Sequence, residues 1–499
     1  MAITTSDPGE FEHTDSQFWL RTVALAAALG LLVDLLFNGA ALGANVPLWL
    51  GALIATFVLM ERRRRPIAKQ TLSLLAGSFA LSTMVVWRSA AELQIVPLVA
   101  SMALLLLALV TRNGDRTRRP SITYFLLSLV TGARSAATGI VRLPRSIGWR
   151  SAVDQEAREQ GRRVARAMLI AVPLLLLFGG LFVAADAVFE SWIRSSLSFD
   201  LAAILRHLGW IVGGTVAAAG LLWSGLGTDL EVPPDPELSE GRRLQSVETG
   251  VVLGSLTALF AVFVAIQAQY LFGGSEHVQS SIGLTYADYA RRGFFELVAV
   301  ALFLLPVLLA LDWSRARSGR SLTTFRVLST LLVVLLVVVM ASAMQRLRIY
   351  IDTFGLTALR FYAAALLVWL GAVFGWLLWS LLRERRNEFV AGTVLTGMLA
   401  IVMVVAVNPH GLITTTNLSR AEDGREFDVS HALGLSADAT PTLIDGIEAL
   451  PEEDACEIAR TVLARWGEPD SQLRSWNWGR VSAAAAVEAN RADLTAACS

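Results

Sequence analysis

The stretch FRVLSTLLVVLLVVVMASAM at residues 325–344 decides the fold class of this chain. It contains a single charged residue, Arg326. A helix that crosses a bilayer needs about 20 mostly apolar residues, and inside lipid only helices or closed barrels satisfy the hydrogen bonds of the backbone. The stretch therefore predicts a transmembrane helix.

Ten further apolar stretches are long enough, or nearly so, to span a bilayer. The composition agrees, because 54% of the residues are hydrophobic, 17% are charged and the mean hydropathy is +0.55. The sequence therefore predicts an all-α, polytopic transmembrane helix bundle of about eleven spans. The ten stretches centre on residues 18–39, 44–60, 70–87, 94–110, 166–188, 207–227, 248–271, 294–312, 358–382 and 389–407.

The basic residues fall on every second gap between these stretches. Of the 42 Lys and Arg residues, 26 lie in five alternate gaps, whereas the short gaps on the other side hold eight. Positively charged loops stay in the cytoplasm, which places the N-terminus inside and the C-terminus outside. The stretch 44–60 is short, and we count it because the four arginines at 62–65 require an inside position. The five basic gaps are 61–69, 111–166, 228–247, 313–326 and 383–386.

One apolar segment, SITYFLLSLVTGA at 121–133, is too short to span comfortably. We interpret it as an interfacial helix on the inner leaflet, with its arginines near anionic headgroups. The sequence then divides into a cytoplasmic tail (1–17), four transmembrane helices (18–110), a basic cytoplasmic segment with the interfacial helix (111–165), seven transmembrane helices (166–407) and an extracytoplasmic acidic helical domain (408–499).

The C-terminal domain differs sharply in composition from the rest, with fifteen acidic and seven basic residues. Pro451 followed by three acidic residues is typical of a helix start, and a second helix is predicted over roughly 480–496. The only two cysteines, Cys456 and Cys498, both lie in this domain. In an oxidising compartment they favour a disulfide, worth about 4 kcal/mol in the chain-entropy model. The alternative is two unpaired thiols.

Many polar residues fall at the predicted extracytoplasmic helix ends. Two interpretations stay open: a polar pocket at the outer leaflet for a lipid headgroup, solute or partner, or an ion-pair network that pins helix ends and docks the acidic tail. Asp34, within the first predicted helix, is either a proton-relay or substrate carboxylate or a residue near the interface that is solvated through Asn38. The candidate binding cluster comprises Tyr286, Asp288, Tyr289, Arg291, Arg292, Glu296, Arg346, Arg348, Tyr350, Asp352, Arg360 and Asn408.

Motifs for soluble enzyme chemistry do not occur. A single lysine, Lys69, excludes a phosphate-binding loop that ends in Gly-Lys-Ser/Thr, and no His-Glu-x-x-His or Gly-x-Ser-x-Gly is present. The histidines lack metal-ligand spacing. The sequence therefore predicts no metal, no cofactor and no nucleic-acid partner, since basic inner loops follow from topology alone.

Six strings together resemble a bacterial polytopic membrane family catalogued only as a domain of unknown function. The resemblance covers roughly 165–445 and implies a multi-pass topology without an assigned reaction or catalytic residues. The strings are IAVPLLLLFGGLFVAADAVF at 170–189, FVAIQAQYLFGG at 263–274, LTYADYARRGFFELV at 284–298, RLRIYIDTFGLTALRFY at 346–362, VNPHGLITTTNLSRA at 407–421 and LGLSADATPTL at 433–443.

Three function classes fit these observations. The leading hypothesis is a non-enzymatic component of the bacterial cytoplasmic membrane that contacts the lipid bilayer and binds a lipid headgroup, a small solute or a membrane partner protein, in transport or envelope sensing. The second is a group-transfer enzyme acting on a lipid-linked substrate, an analogy of architecture only. The third is a secondary transporter, which would require broken helices or repeats near the midplane.

Overall fold

A computed structural model describes residues 8–111, 122–146, 201–227, 243–272, 294–314, 319–383, 385, 388–468 and 472–498. Over these residues the chain is helical and contains no strands. Eight of the described helices are long and apolar enough to cross a membrane. The predicted span at 166–188 lies outside the described residues.

Six of the described helices form the N-terminal half. Their shared core includes Leu53, Phe57, Leu105 and Leu222, each at most 2% exposed. The predicted stretches 44–60 and 70–87 both become helices, and the second ends in a 3-10 turn at Met84–Val86. The helices are α1 (Pro8–Phe37), α2 (Asn45–Arg62), α3 (Lys69–Thr83), α4 (Ala91–Val110), α5 (Ile122–Ser146) and α6 (Leu201–Leu226).

Helices α1 and α6 approach each other through glycines. A Cβ atom on Gly214 would lie 2.6 Å from the Cβ atom of Val33 and 3.1 Å from the Cα atom of Gly30. Small residues allow such close packing where lipid offers no hydrophobic drive for helix association.

Helix α5 is longer than the predicted 121–133 segment. A Cβ on Gly132 would lie 3.0 Å from Val110, and one on Gly139 would lie 2.7 Å from Trp223. Both neighbours belong to the last turns of α4 and α6, at the arginine-rich ends, so the middle of α5 packs against those ends.

Five of the described helices form a second bundle with its own core. Phe325, Leu336, Val373 and Phe374 are fully buried at its centre. A smaller cluster of Ala90, Leu93 and Val405 joins the two bundles where α4 meets the last helix. The helices are α7 (Ser246–Phe272), α8 (Phe294–Ser314), α9 (Gly319–Phe354), α10 (Ala358–Leu382) and α11 (Phe389–Val407).

The C-terminal domain is a small helical unit. The helix predicted after Pro451 forms, with Ile458 and Val462 buried, whereas the one predicted over 480–496 is interrupted at Asn490. A disulfide joins Cys456 to Cys498, with the Cα atoms 4.7 Å apart. The helices are α12 (Pro409–Glu422), α13 (Val429–Gly434), α14 (Thr440–Asp445), α15 (Glu452–Trp466), α16 (Trp478–Ala489) and α17 (Arg491–Ala496).

This domain sits on one set of helix ends. Arg474 donates to the carbonyl of Leu35 near the end of α1, and Asn477 donates to the carbonyls of Val85 and Arg88 before α4. These helix ends border the short gaps of the sequence that contain few arginines. By contrast, Arg64 donates to the carbonyl of Leu226 at the opposite, arginine-rich ends.

Candidate functional site

The predicted outer polar cluster divides in the structure. Tyr286, Asp288, Tyr289, Arg291 and Arg292 lie outside the described residues. The other seven occupy separate places at the helix ends, so the described part of the cluster does not converge on one pocket.

The first place links α9 to α7. Arg346 donates to the side-chain oxygen of Gln267 at 3.0 Å, and Ser342 donates to the same oxygen at 2.8 Å. The side chains of Glu296 and Arg348 are exposed. The Arg346 contact ties two helices together, as a structural anchor does.

The second place is the C-terminal end of α9. The Arg360 guanidinium lies 4.0 Å from the centre of the Tyr350 ring and donates to the carbonyls of Phe354 and Gly355. Arg420 of the C-terminal domain donates to the carbonyls of 351–353, including that of Asp352. Burial lowers the pKa of Arg420 below its usual value. Arg360 and Arg420 thus pair with the carbonyls that have no partner within α9, and their positive charges lie at the negative end of the α9 dipole.

The third place is built around Asn408. Its backbone adopts the left-handed conformation with φ of 54°, and its side chain caps α12 by accepting from the N–H of Gly411. Its amide also donates to the carbonyl of Asp438 at 3.0 Å. Asn408 therefore leads into a polar network that the sequence analysis missed.

Asp438 is the centre of this network and is 4% exposed. One carboxylate oxygen accepts from the N–H of Ser89 (2.7 Å), the hydroxyl of Ser89 (2.8 Å), the N–H of Ala90 (3.0 Å) and the hydroxyl of Ser436 (2.8 Å). Ala90 precedes α4 and has no side chain that can cap the helix. Asp438 supplies the missing cap, and its negative charge suits the helix N-terminus.

Two neighbours define the surroundings of this carboxylate. Gly479 lies so close to Oδ1 of Asp438 that no side chain fits there. Partial burial lowers the pKa of the nearby Arg88 below its usual value, and the charge of Asp438 opposes that shift. Arg88 also donates to the carbonyl of Val405 at the end of α11, so the network joins both bundles to the C-terminal domain.

His410 extends the network towards the membrane. Its Nδ1 accepts from the N–H of Ser436 at 3.0 Å, and its Nε2 lies 2.9 Å from an oxygen of Glu92. A backbone N–H can only donate, so Nδ1 is the unprotonated nitrogen and Nε2 carries the proton that it donates to Glu92. The His410 side chain is 8% exposed, and both of its ring nitrogens make a hydrogen bond.

A groove of about 360 Å³ opens directly below Glu92, between α4, α10 and α11. Glu92 and Tyr362 form its polar end, and the Tyr362 hydroxyl is buried without a hydrogen-bond partner among the described residues. The indole N–H of Trp369 is buried in the wall without an acceptor among the described residues. The rest of the lining is Leu93, Val96, Pro97, Ala365, Leu366, Gly397, Ala400, Ile401, Val404 and Val405.

A second cavity of about 400 Å³ lies within the C-terminal domain, between α15 and α16. Trp466 and Trp476 line it together with Arg480. Arg480 donates to the carbonyls of Leu42 and Ser475, which gives this arginine a role in docking the domain to the loop after α1.

Asp34 lies in the last turn of α1 and has two partners. Its carboxylate lies 2.8 Å from Nδ1 of His207, and Asn38 donates to it at 2.9 Å. The pair joins the ends of α1 and α6. Among the described residues, no three His, Cys, Asp or Glu side chains are grouped as a metal site would require.

The residues missed by the sequence analysis gave only weak local signals. Asp438 and Ser436 stand in the string LGLSADATPTL, where Ser436 caps a 3-10 turn at Ala437–Ala439. Glu92 is an acidic residue in the first turn of an apolar helix, a position that is common for electrostatic reasons alone.

The comparison with protein families gives one match. A family model described as "Domain of unknown function (DUF4153)" matches residues 75–446. No curated protein and no solved structure matches the chain.

Proposed function

We propose, from the premise that the chain belongs to the DUF4153 family, that it is a non-enzymatic component of the bacterial cytoplasmic membrane that binds a membrane amphiphile at the outer leaflet. The groove between α4, α10 and α11 is the observation that carries this proposal. The ligand lays an apolar chain along the groove and places its headgroup beside Glu92 and Tyr362.

The orientation rests on the positive-inside rule. The C-terminal domain contacts helix ends whose gaps contain few arginines, and Arg64, in the arginine-rich gap 61–69, contacts the opposite end of the bundle at Leu226. Positively charged loops are retained in the cytoplasm, which supports an extracytoplasmic position for the domain, with the polar end of the groove towards the outer leaflet.

The shape and lining of the groove suit an amphiphile better than a polar solute. Its volume lies within the range of small-molecule sites, and all but a few of its lining residues are apolar. Val96 is 52% exposed on the membrane-facing side of α4, so a lipid chain can enter from the bilayer without crossing a polar barrier.

A pair of glycine substitutions tests this proposal. A Cβ on Gly397 would lie 3.7 Å from the Trp369 indole nitrogen, so Gly397→Leu fills the groove with little backbone cost. Gly375 is the matched control, because it lies on the neighbouring helix α10 and a Cβ there meets nothing within 4 Å.

The measurement is native mass spectrometry of the gently extracted full-length protein, with identification of the lipids that remain bound. We expect a lipid on the wild type and on Gly375→Leu, and its loss from Gly397→Leu. Equal lipid retention by all three proteins would rule out the groove as the binding site.

A further inference from the structure

We infer that the groove selects a lipid whose headgroup carries a primary ammonium group. The inference rests on the proposed function and concerns the chemistry of the same site. Among the described residues that line the groove, Glu92 is the only one with a formal charge, so the ligand has to complement a carboxylate.

The hydrogen bond with His410 does not neutralise the negative charge of Glu92. His410 donates one neutral N–H bond to one carboxylate oxygen, because its other nitrogen is committed as an acceptor to the N–H of Ser436. The contact therefore orients the carboxylate without supplying a positive charge. The Glu92 side chain remains 37% exposed and accessible to a ligand.

The Tyr362 hydroxyl adds a second polar oxygen at the same end of the groove, where it is buried without a hydrogen-bond partner among the described residues. An ammonium group has three N–H donors and no acceptor, and a carboxylate and a hydroxyl can accept two of them. Charge-assisted bonds of this kind are about twice as strong as neutral ones. An anionic headgroup would face the Glu92 charge, and a trimethylammonium headgroup has the charge but no N–H to donate.

The position of Glu92 in the fold strengthens the preference for an ammonium headgroup. Glu92 lies in the first turn of α4 at the edge of the apolar groove, where the local dielectric constant is lower than in water and a charge without a counterion is costly. A primary ammonium group held there neutralises the carboxylate and keeps its chain in the groove.

The test uses full-length protein reconstituted with equal amounts of phosphatidylethanolamine, phosphatidylcholine and phosphatidylglycerol that have identical acyl chains. Bound lipid is then counted by native mass spectrometry. We expect phosphatidylethanolamine to be retained about tenfold over phosphatidylcholine, the size of effect that follows from one charge-assisted hydrogen bond, and phosphatidylglycerol to be retained least.

Glu92→Gln separates the headgroup inference from the proposed function. The substitution keeps an oxygen for His410 to donate to, and it removes the charge. We expect the preference for phosphatidylethanolamine to disappear while total lipid retention remains, and we expect Asp352→Asn, which removes an exposed carboxylate at the end of α9, to change nothing. If Glu92→Gln keeps the full preference, the headgroup inference is wrong and the groove assignment stands. If Gly397→Leu retains as much lipid as wild type, the groove assignment itself is wrong.

A long-chain amine distinguishes the lipid headgroup from a free amine as the source of the ammonium group. Dodecylamine is added to the phosphatidylethanolamine-loaded protein, with dodecanol as the control for the chain. Displacement only at a large molar excess of dodecylamine supports a lipid ligand. Displacement at equimolar amounts would overturn the assignment to a lipid and point to a free amine instead.

Discussion

The carboxylate of Asp438 accepts two hydrogen bonds from Ser89, one from its backbone N–H at 2.7 Å and one from its hydroxyl at 2.8 Å, although 349 positions separate the two residues. Through this contact the C-terminal domain caps α4, whose first turn also carries Glu92. The docked domain and the groove therefore share one helix end. Changes in the docking network should affect both the stability of the protein and its lipid binding.

Removing the Asp438 carboxylate should loosen the C-terminal domain. Asp438→Ala leaves the buried N–H group of Ala90 and the half-buried N–H group of Ser89 without an acceptor, which we expect to cost about 1–3 kcal/mol. The measurement is the thermal unfolding temperature in detergent, together with the rate at which a protease releases the domain. Asp445→Ala is the control, because Asp445 is exposed in the same domain. Equal behaviour of the two variants would contradict the role of Asp438 as a cap.

Arg420 should contribute to stability through the end of α9. Arg420→Ala removes the donor to the carbonyls of 351–353, and we expect a loss of about 1–2 kcal/mol. Arg425→Ala removes the same charge from an exposed position five residues later. Unfolding in a denaturant series compares the two variants. An effect of Arg425→Ala as large as that of Arg420→Ala would show that net charge, not capping, matters here.

Apolar runs of about 20 residues made the helices predictable, because lipid leaves the backbone few alternatives. The helix starting after Pro451 was predictable for a similar reason, since proline and three acidic residues mark a helix start. The break at Asn490 was missed, because alanine-rich sequence on both sides of it favours a continuous helix.

The candidate site was less accessible to sequence reasoning. The hydropathy pattern places Arg360 at a helix end, but it does not reveal which group the guanidinium contacts. In the structure the guanidinium donates to the carbonyls of Phe354 and Gly355 and does not line a pocket with the other described residues of the predicted cluster. The contact of Asp438 with Ser89 depends on how the tail folds back over the bundle. No local period or spacing encodes such a contact, and so Glu92, at the same helix end, was not singled out.

The disulfide should stabilise the C-terminal domain more than the membrane bundle. The bond joins two cysteines that are 42 positions apart, and a double Cys456→Ser, Cys498→Ser variant should lose about 4 kcal/mol in the chain-entropy model. Proteolysis under oxidising and reducing conditions measures the effect. Reductant should speed cleavage of the wild type and leave the double variant unchanged. A wild type that is insensitive to reductant would show that the bond contributes little to the stability of the domain.

Adjacent glycines in α6 provide a sharp test of the packing between α1 and α6. A side chain on Gly214 meets Val33, whereas one on Gly213 meets nothing within 4 Å. Leucine has the same helix propensity at both positions, so Gly214→Leu should destabilise by about 1–3 kcal/mol more than Gly213→Leu. The thermal unfolding temperature of each purified variant measures the difference. If the two substitutions are equivalent, α1 and α6 are not in the close contact described.

The C-terminal domain should lie on the extracytoplasmic side of the membrane. Four consecutive arginines at 62–65 lie at the end of the bundle opposite to the domain, and positively charged loops resist translocation. An alkaline phosphatase fused after Ser499 should therefore be active, and a green fluorescent protein at the same position should be dark. A phosphatase fused after Arg65 serves as the control and should be inactive. The reverse pattern would put the domain in the cytoplasm, where the Glu92 end of the groove would face the inner leaflet and the Cys456–Cys498 disulfide would be exposed to reduction.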